Sequence, residues 1–199
     1  MVICWEFLMR KVSIENLIEG LTEIPDEEFY CEPVYEFLSE NPVEMDSISK
    51  YFNWSKKFYT RNLIYKDERF ELMAICWERG QVSKIHNHAD QMCWMTVPFG
   101  TLRGQNFKTL ELDEAKNHCK ITESDRFDLS ECLTAKVELE EPIHQILNLP
   151  EFDSRAVSLH IYSKPFETCL TYCTETDTFA EVNLSYASIG GKLCEGINL

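Results

Sequence analysis

Two histidines separated by a single residue are the strongest chemical signal in this chain. His86 and His88 follow Gly80 in the segment Gly-Gln-Val-Ser-Lys-Ile-His-Asn-His. On extended backbone, residues two apart point their side chains to the same face. Neutral imidazole is a common ligand for transition metals. The pair therefore predicts half of a metal site, and a further ligand must come from elsewhere in the chain.

The other three histidines are the candidates for that ligand. His118 lies in an acidic, turn-rich stretch, where we expect a solvated loop residue. His144 opens a predicted strand after a proline. Alone it could equally be a buried core histidine, but together with the first pair it is the preferred third ligand. For His160 we prefer a supporting position beside the metal site.

Polar and apolar side chains alternate from Ser158 to Tyr162, with Leu159 and Ile161 in between. Ser158, His160 and Tyr162 therefore share one face of a predicted strand. Burying such a polar stripe costs free energy unless its groups are satisfied, so it predicts the lining of a cavity rather than a core.

The spacing around the first histidine pair resembles the first cupin motif. It is Gly-x5-His-x-His-x4-Cys-x6-Gly, ending at Gly100. Cys93 stands where that motif usually carries a glutamate ligand. The His144-x3-Asn148 spacing resembles the second cupin motif, although the glycines of that motif are missing.

Separated segments of the chain, in order from about residue 41 to about residue 191, resemble the cysteine dioxygenases. They are Tyr59-Thr-Arg61-Asn-Leu, Ile75-Cys-Trp77, the segment from His86 to Cys93, Ser158-Leu-His160-Ile-Tyr162-Ser and Pro165-Phe-Glu-Thr-Cys169. The resemblance implies a cupin jelly-roll barrel, mainly β, in which three histidines hold one ferrous iron. It also implies oxidation of the thiol of free L-cysteine to cysteine sulfinic acid by molecular oxygen.

The resemblance also implies roles at the substrate. Arg61, with Tyr59 on the same strand face, would bind the substrate carboxylate, because guanidinium recognises carboxylates in a directional, bidentate way. From spacing alone, a surface salt bridge is the alternative for Arg61. The resemblance places Cys169 at the substrate as well.

A second group of roles surrounds Tyr162. Its hydroxyl would lie near the substrate, with His160 hydrogen-bonded to it and Ser158 behind that histidine. A thioether between Cys93 and Tyr162 would act as a protein-derived cofactor. Two departures from the family stand out: Ser163-Lys164-Pro165 replaces a frequent Ser-Pro-Pro, and Asn87 replaces a frequent aspartate.

Composition sets broad limits. The chain has 199 residues, 44% of them hydrophobic, which is enough for one core. We expect a single cupin domain over residues 1–199, with a helical part at 1–55, a barrel at 56–190 and a tail at 191–199. The formal net charge of −15 argues against nucleic acid and anionic membrane surfaces as partners.

The nine cysteines fit a reduced protein, because no secretory signal is present. The absence of a Cys-x2-Cys pair argues against a structural zinc site. No apolar run reaches the length of about eighteen residues that a membrane span needs. We therefore expect a cytoplasmic protein. We also expect a monomer, and the resemblance implies that its partners are a small thiol, L-cysteine, and oxygen.

Periodicity predicts the elements. Apolar residues spaced as in a helix follow Ser13, a candidate cap, and Asn41-Pro42 predicts the start of another helix that runs to about Ser49. From Lys57 short alternating runs predict a barrel or sandwich. The strands are expected at 58–65, 69–77, 83–88, 92–97, 101–107, 135–140, 143–149, 156–163, 168–174 and 180–185, with an exposed loop at 109–132, a turn at Gly190-Gly191 and a wrapped or frayed tail.

Two other functions stay open. A dioxygenase for 3-mercaptopropionate or cysteamine is the nearest. Arg61 argues against cysteamine, which has no carboxylate, and Cys93 favours cysteine over 3-mercaptopropionate. The remaining alternative is a non-catalytic cupin that stores or senses a metal, which would need neither Arg61 nor Tyr162.

Overall fold

The computed structural model describes residues 11–131, 133–137, 142–197 and 199. In these ranges three α-helices precede thirteen strands. The helices are α1 (Ile14–Glu23), α2 (Cys31–Glu40) and α3 (Met45–Ile48). The strands are β1 (Thr60–Lys66), β2 (Glu71–Trp77), β3 (Ile85–His86), β4 (Cys93–Phe99), β5 (Leu102–Asp113), β6 (His118–Leu129), β7 (Thr134–Val137), β8 (Ile143–Leu147), β9 (Ala156–Tyr162), β10 (Thr168–Cys173), β11 (Thr178–Asn183), β12 (Ser188–Ile189) and β13 (Lys192–Leu193).

The strands form two sheets. One has seven strands in the order β13-β12-β1-β2-β9-β4-β7, and the other has the order β10-β11-β6-β5-β8-β3. The second set closes on itself because β3 pairs with both β8 and β10. Most neighbours are antiparallel, and β12 is parallel to β1. This double-layered, mainly β barrel is the architecture that the alternating runs predict.

The helices cover the outer face of the seven-stranded sheet. Leu72, Ala74, Leu159 and Ile161 are buried in one cluster with apolar residues of α1 and α2. The odd-numbered side chains of β2 and the even-numbered ones of β9 therefore face the other way, into the barrel. At the start of α1 the Ser13 hydroxyl accepts a hydrogen bond from the Asn16 N–H at 3.2 Å, so the predicted cap is confirmed.

The predicted start of a helix at Asn41 is wrong. Asn41 ends α2 instead: its backbone N–H and its Nδ2 both donate to the Phe37 carbonyl, at 3.1 and 2.8 Å. Val43 next forms a parallel bridge with Val12, which requires extended backbone. The following helix begins only at Met45.

The predicted loop at 109–132 is also wrong, because most of it belongs to the long hairpin of β5 and β6. The two strands are paired from Leu102↔Leu129 to Asp113↔His118. The outer half of β5 is exposed on both faces, so no alternation of apolar and polar residues marks it as a strand. His118 accordingly begins a strand, and its partly exposed ring lies 3.8 Å from a Glu111 oxygen.

Several smaller predictions can be placed. The Gly190-Gly191 turn is confirmed: it joins β12 to β13, so part of the predicted tail is strand. The end of the strand predicted at 135–140 lies outside the described residues, as do Cys4, Cys132 and the N-terminal stretch at 1–10. The single-domain organisation stays a prediction. Within the ranges described above, no helix is both long and apolar enough to cross a membrane.

Candidate metal centre and substrate cavity

Two short strands bring three histidines together. His86 ends β3 and is directly paired with His144 of β8, while His88 follows two residues after His86. The ring centroids of His144 lie 4.7 Å from those of both other histidines. One ring nitrogen from each residue lies within 4.8 Å of the others. The group is the one that the sequence predicts as the metal ligands.

The hydrogen bonds of these rings fit a metal. His86 Nδ1 lies 2.8 Å from the Lys84 carbonyl, so it donates there and leaves Nε2 as a free acceptor. Both nitrogens of His88 and Nε2 of His144 are buried, and they have no hydrogen-bond partner in the described part of the chain. A buried polar atom without a partner is costly, and a metal ion would satisfy one nitrogen of each ring.

Burial keeps the imidazoles neutral. It lowers the pKa of His86 to about 4 and holds the pKa values of His88 and His144 well below the ordinary range. Neutral imidazole is the form that binds a metal. Three neutral ligands leave the charge of a divalent ion uncompensated, so the centre attracts an anionic ligand such as a thiolate.

A cavity of about 400 Å³ opens beside the histidines. Its wall brings together residues from distant parts of the chain. Those predicted from the sequence are Tyr59, Arg61, His86, His88, His160, Tyr162 and Cys169, and Trp77 and Phe166 join them. Tyr59 stacks on Trp77 with a centroid distance of 4.6 Å. The cavity therefore places a candidate anion-binding group and a candidate metal centre around one space.

The polar stripe of β9 forms a chain of hydrogen bonds. Trp77 Nε1 donates to Ser158 Oγ at 3.0 Å, and that oxygen lies 2.8 Å from His160 Nε2. Because indole can only donate, the hydroxyl hydrogen of Ser158 is free to point at His160 Nε2. The arrangement favours the tautomer in which His160 Nδ1 carries the hydrogen and faces Tyr162 Oη, 3.4 Å away.

The pKa values of His160 and Tyr162 agree with this series of hydrogen bonds. Burial lowers the pKa of His160 to about 3, so the ring is neutral near pH 7. Burial, reinforced by the neighbouring Cys93, raises the pKa of Tyr162 well above the ordinary range. The tyrosine keeps its proton and can donate it into the cavity.

Cys93 and Tyr162 lie directly opposite each other in the register of β4 and β9. Both side chains are buried. Burial raises the pKa of the Cys93 thiol, and a hydrogen bond with Tyr162 opposes part of that rise. The structure thus brings together the two residues for which the sequence predicts a thioether.

Arg61 reaches the cavity from β1, and its side chain is only 10% exposed. It is not a surface strand residue, which was the alternative from spacing. Its Nη2 lies 3.9 Å from Glu71 Oε1, and its Cζ lies 5.6 Å from the ring centroid of Tyr186. Burial raises the pKa of neighbouring Cys169, and the charge of Arg61 opposes that rise.

Asn87 and the segment after Tyr162 also have clear positions. Asn87 Oδ1 accepts from the Leu170 N–H at 2.9 Å, so the amide is held by β10. The peptide bonds of Ser163-Lys164-Pro165 are trans. Ser163 Oγ accepts from the Met92 N–H at 2.9 Å and ties this segment to the start of β4.

Four residues near the site, Phe166 among them, were not predicted as site residues. Trp77 and Glu71 share the inner face of β2 with Met73 and Ile75, and the alternation of this face with the outward Leu72, Ala74 and Cys76 is the signal that could have found them. Tyr186 follows β11 in an irregular segment, where no periodicity indicates the direction of a side chain.

The fold and the three histidines define a metal-binding cupin, and the predicted cupin jelly-roll barrel with N-terminal helices is confirmed. Among solved structures, the chain is similar to an RmlC-like cupin protein from Desulfovibrio desulfuricans, with a TM-score of 0.41 and 10% identity, covering 58% of this chain and 91% of that one. It is also similar to a protein with a double-stranded β-helix domain from Klebsiella pneumoniae, with a TM-score of 0.43 and 13% identity, covering 69% and 90%.

The chain belongs to the cysteine dioxygenase type I family. The model of that family matches residues 16–175. Cysteine dioxygenase type 1 of Rattus norvegicus is 31% identical over 186 residues, which cover 91% of this chain and 89% of the rat protein. The Danio rerio protein of the same name is 28% identical over 188 residues, covering 93% and 91%. The chain is therefore an enzyme of the thiol dioxygenase class.

Proposed function

We propose that this protein is an iron(II)-dependent dioxygenase that oxidises the thiol of free L-cysteine to cysteine sulfinic acid. The observation that carries the proposal is the shared cavity: His86 and His88 of the three-histidine group line one space together with Arg61 and Tyr162. The reaction balances without another reductant, because both atoms of one oxygen molecule are added to the sulfur.

His86, His88 and His144 would hold the iron. When bound, iron(II) supplies the activation of molecular oxygen next to the thiol. The protein supplies the dry surroundings, since His88 and His144 are buried, His86 is partly buried, and much of the cavity wall is apolar. A low-dielectric site strengthens the attraction between the metal and a thiolate.

Arg61 would bind the carboxylate of the substrate. Its Nη1 is buried and has no hydrogen-bond partner among the described residues, so the guanidinium has donors to offer. Tyr59 and Cys169 line the same cavity. Holding the carboxylate fixes the substrate at one end, so that its sulfur is oriented towards the histidines.

Tyr162 would hold a proton near the reacting sulfur. Trp77, Ser158 and His160 orient its hydroxyl through the chain of hydrogen bonds, and the neutral His160 ring occupies one lone pair of the phenol oxygen. The hydroxyl hydrogen of Tyr162 is then directed away from His160. In part of the protein, a thioether to Cys93 would fix the ring further. The cytoplasmic location and the monomeric state stay predictions.

The test is oxygen uptake by the iron-loaded protein with L-cysteine, 3-mercaptopropionate and cysteamine in turn, with mass analysis of the product. The proposal expects L-cysteine to be the best substrate and to gain both oxygen atoms from isotopically labelled gas. Preferred turnover of either other thiol would instead assign the protein to a different thiol dioxygenase activity. Binding of iron without uptake for any thiol would contradict the proposed reaction.

A further inference from the structure

A buried carboxylate lies next to Arg61, and none of the roles above uses it. Glu71 begins β2, and its side chain is 0% exposed. In the sheet it is paired with Tyr162 on one side and with Lys66 on the other. Directly opposed residues of antiparallel strands project to the same face. Glu71 therefore shares the inner face of the sheet with Tyr162.

The two oxygens of Glu71 have different surroundings. Oε2 accepts a hydrogen bond from the Tyr186 hydroxyl at 2.5 Å and lies 3.7 Å from Lys66 Nζ. Oε1 faces Arg61 Nη2 at 3.9 Å and has no hydrogen-bond partner in the described ranges. The Tyr186 ring, held by that hydrogen bond, lies against the Arg61 guanidinium. Glu71 is thus the charged neighbour of Arg61, and it also holds the aromatic neighbour of Arg61, Tyr186, in place.

Arg61, Lys66 and Glu71 form a charged cluster with one positive charge that an anion could neutralise. Arg61 and Lys66 contribute two positive charges and Glu71 one negative charge, so the cluster carries a net charge of +1. The Nη2 end of the guanidinium is directed to Glu71, while the buried Nη1 end has no protein acceptor among the described residues. One carboxylate at Nη1 would neutralise the cluster and satisfy that nitrogen.

We propose that Glu71, acting with Tyr186, is a positioning residue that holds Arg61 with its Nη1 end turned to the substrate carboxylate. The inference rests on the proposed function, because the ligand is the carboxylate of the thiol substrate. An arginine side chain has several rotatable bonds, and fixing it before binding reduces the conformational entropy that binding costs. Glu71 supplies the ionic contact, and Tyr186 supplies a flat surface that restricts the plane of the guanidinium.

A purely structural role for Glu71 makes a different prediction. If the carboxylate only compensated the buried cation during folding, its loss would lower thermal stability and weaken every thiol ligand alike. A positioning role is selective: it weakens ligands that have a carboxylate and leaves cysteamine, which has none, unchanged.

The experiment measures the affinity of the iron(II)-loaded protein for L-cysteine and for cysteamine by calorimetry without oxygen. The variants are Glu71→Gln, Arg61→Ala and the double variant, and exposed Glu68→Gln is the matched control. Glu71→Gln should weaken L-cysteine roughly tenfold, within the range for neighbouring groups that interact. It should leave cysteamine unchanged, and in the Arg61→Ala background it should have no further effect.

Equal losses for both thiols, an unchanged affinity for L-cysteine, or an effect that adds fully to Arg61→Ala would each overturn the proposal. If Glu71→Gln fails to fold, Tyr186→Phe is the second variant, because it keeps the charge of Glu71 and the aromatic ring. It should still weaken the binding of L-cysteine and leave the binding of cysteamine unchanged, and an unselective or absent effect overturns the proposal equally.

Oxygen uptake separates the positioning role from the proposed function. If Glu71→Gln binds L-cysteine more weakly than wild type as predicted, but the wild type takes up no oxygen, the proposed function alone is contradicted. Wild-type protein that oxidises L-cysteine while Glu71→Gln binds it normally contradicts the positioning role alone.

Discussion

The buried imidazole of His160 makes the stability of the protein sensitive to acid. Burial, with the nearby His86 and Arg61 acting in the same direction, lowers its pKa to about 3, whereas an unfolded histidine titrates near about 6.5. Between these values the unfolded state binds the proton and the folded state does not. The contribution of His160 is therefore complete above about pH 6.5 and is lost as the pH falls towards about 3.

The size of the effect follows from the shift. A pH of 5 lies about 1.5 units below the pKa of the unfolded imidazole. Protonation of that imidazole therefore favours unfolding by about 2 kcal/mol relative to pH 7. His160→Gln removes this titration and keeps a polar side chain. Between pH 7 and pH 5 the variant should therefore lose about 2 kcal/mol less unfolding free energy than wild type.

Urea denaturation of the chelator-treated proteins at both pH values measures the difference, so release of metal does not enter the comparison. His118→Gln is the control, because that ring is partly exposed at the start of β6. It should follow wild type. An equal loss of stability in wild type and His160→Gln would mean that His160 does not titrate differently in the two states. A His160 ring that burial keeps neutral down to pH 5 would then be untenable.

Three further predictions concern the site directly. His144→Ala should strip most of the iron and the activity, whereas His118→Ala should do neither; full iron content in His144→Ala, measured by metal analysis, would contradict the ligand set. Arg61→Ala should raise the activation free energy that corresponds to kcat/KM for L-cysteine by roughly 2–4 kcal/mol, because a buried carboxylate loses its partner. Good turnover of cysteamine that is indifferent to Arg61 would contradict that role. Intact mass and peptide mapping after turnover should show a Cys93–Tyr162 thioether, two hydrogen atoms lighter than the unlinked chain, and a Cys93 that stays fully alkylatable would refute it.

The parts of the site that could be predicted lie on strands with a clear period of two. Ser158, His160 and Tyr162 alternate with apolar residues on a strand buried on both faces, so the direction of each side chain follows from its position alone. The His86 and His88 pair is visible for the same reason. Local alternation is a property of the sequence and needs no knowledge of which strands are neighbours.

The residues that were missed depend on the register between strands. Trp77 matters because β2 and β9 are paired so that its indole reaches Ser158, and no local pattern gives that pairing. Glu71 lies at the end of a predicted strand, but its partners Arg61 and Tyr186 come from separate segments. The outer hairpin was missed for a different reason: it is held by backbone hydrogen bonds and buries few side chains there.

The unsatisfied polar atoms of this protein are concentrated where the ligands would bind. Five of the six buried side-chain atoms without a hydrogen-bond partner, among the described residues, belong to Arg61, Glu71, His88 and His144. Each such atom costs about 1–3 kcal/mol in a folded protein. Sequences are seldom retained with so many costs in one place unless a ligand offsets them, and a ligand that binds only the folded state stabilises it. A divalent metal would satisfy one nitrogen of each histidine, and a carboxylate would satisfy Arg61 Nη1. The distribution of these atoms therefore points to a metal and a carboxylate-bearing ligand around the one cavity that Arg61, His86 and His88 line.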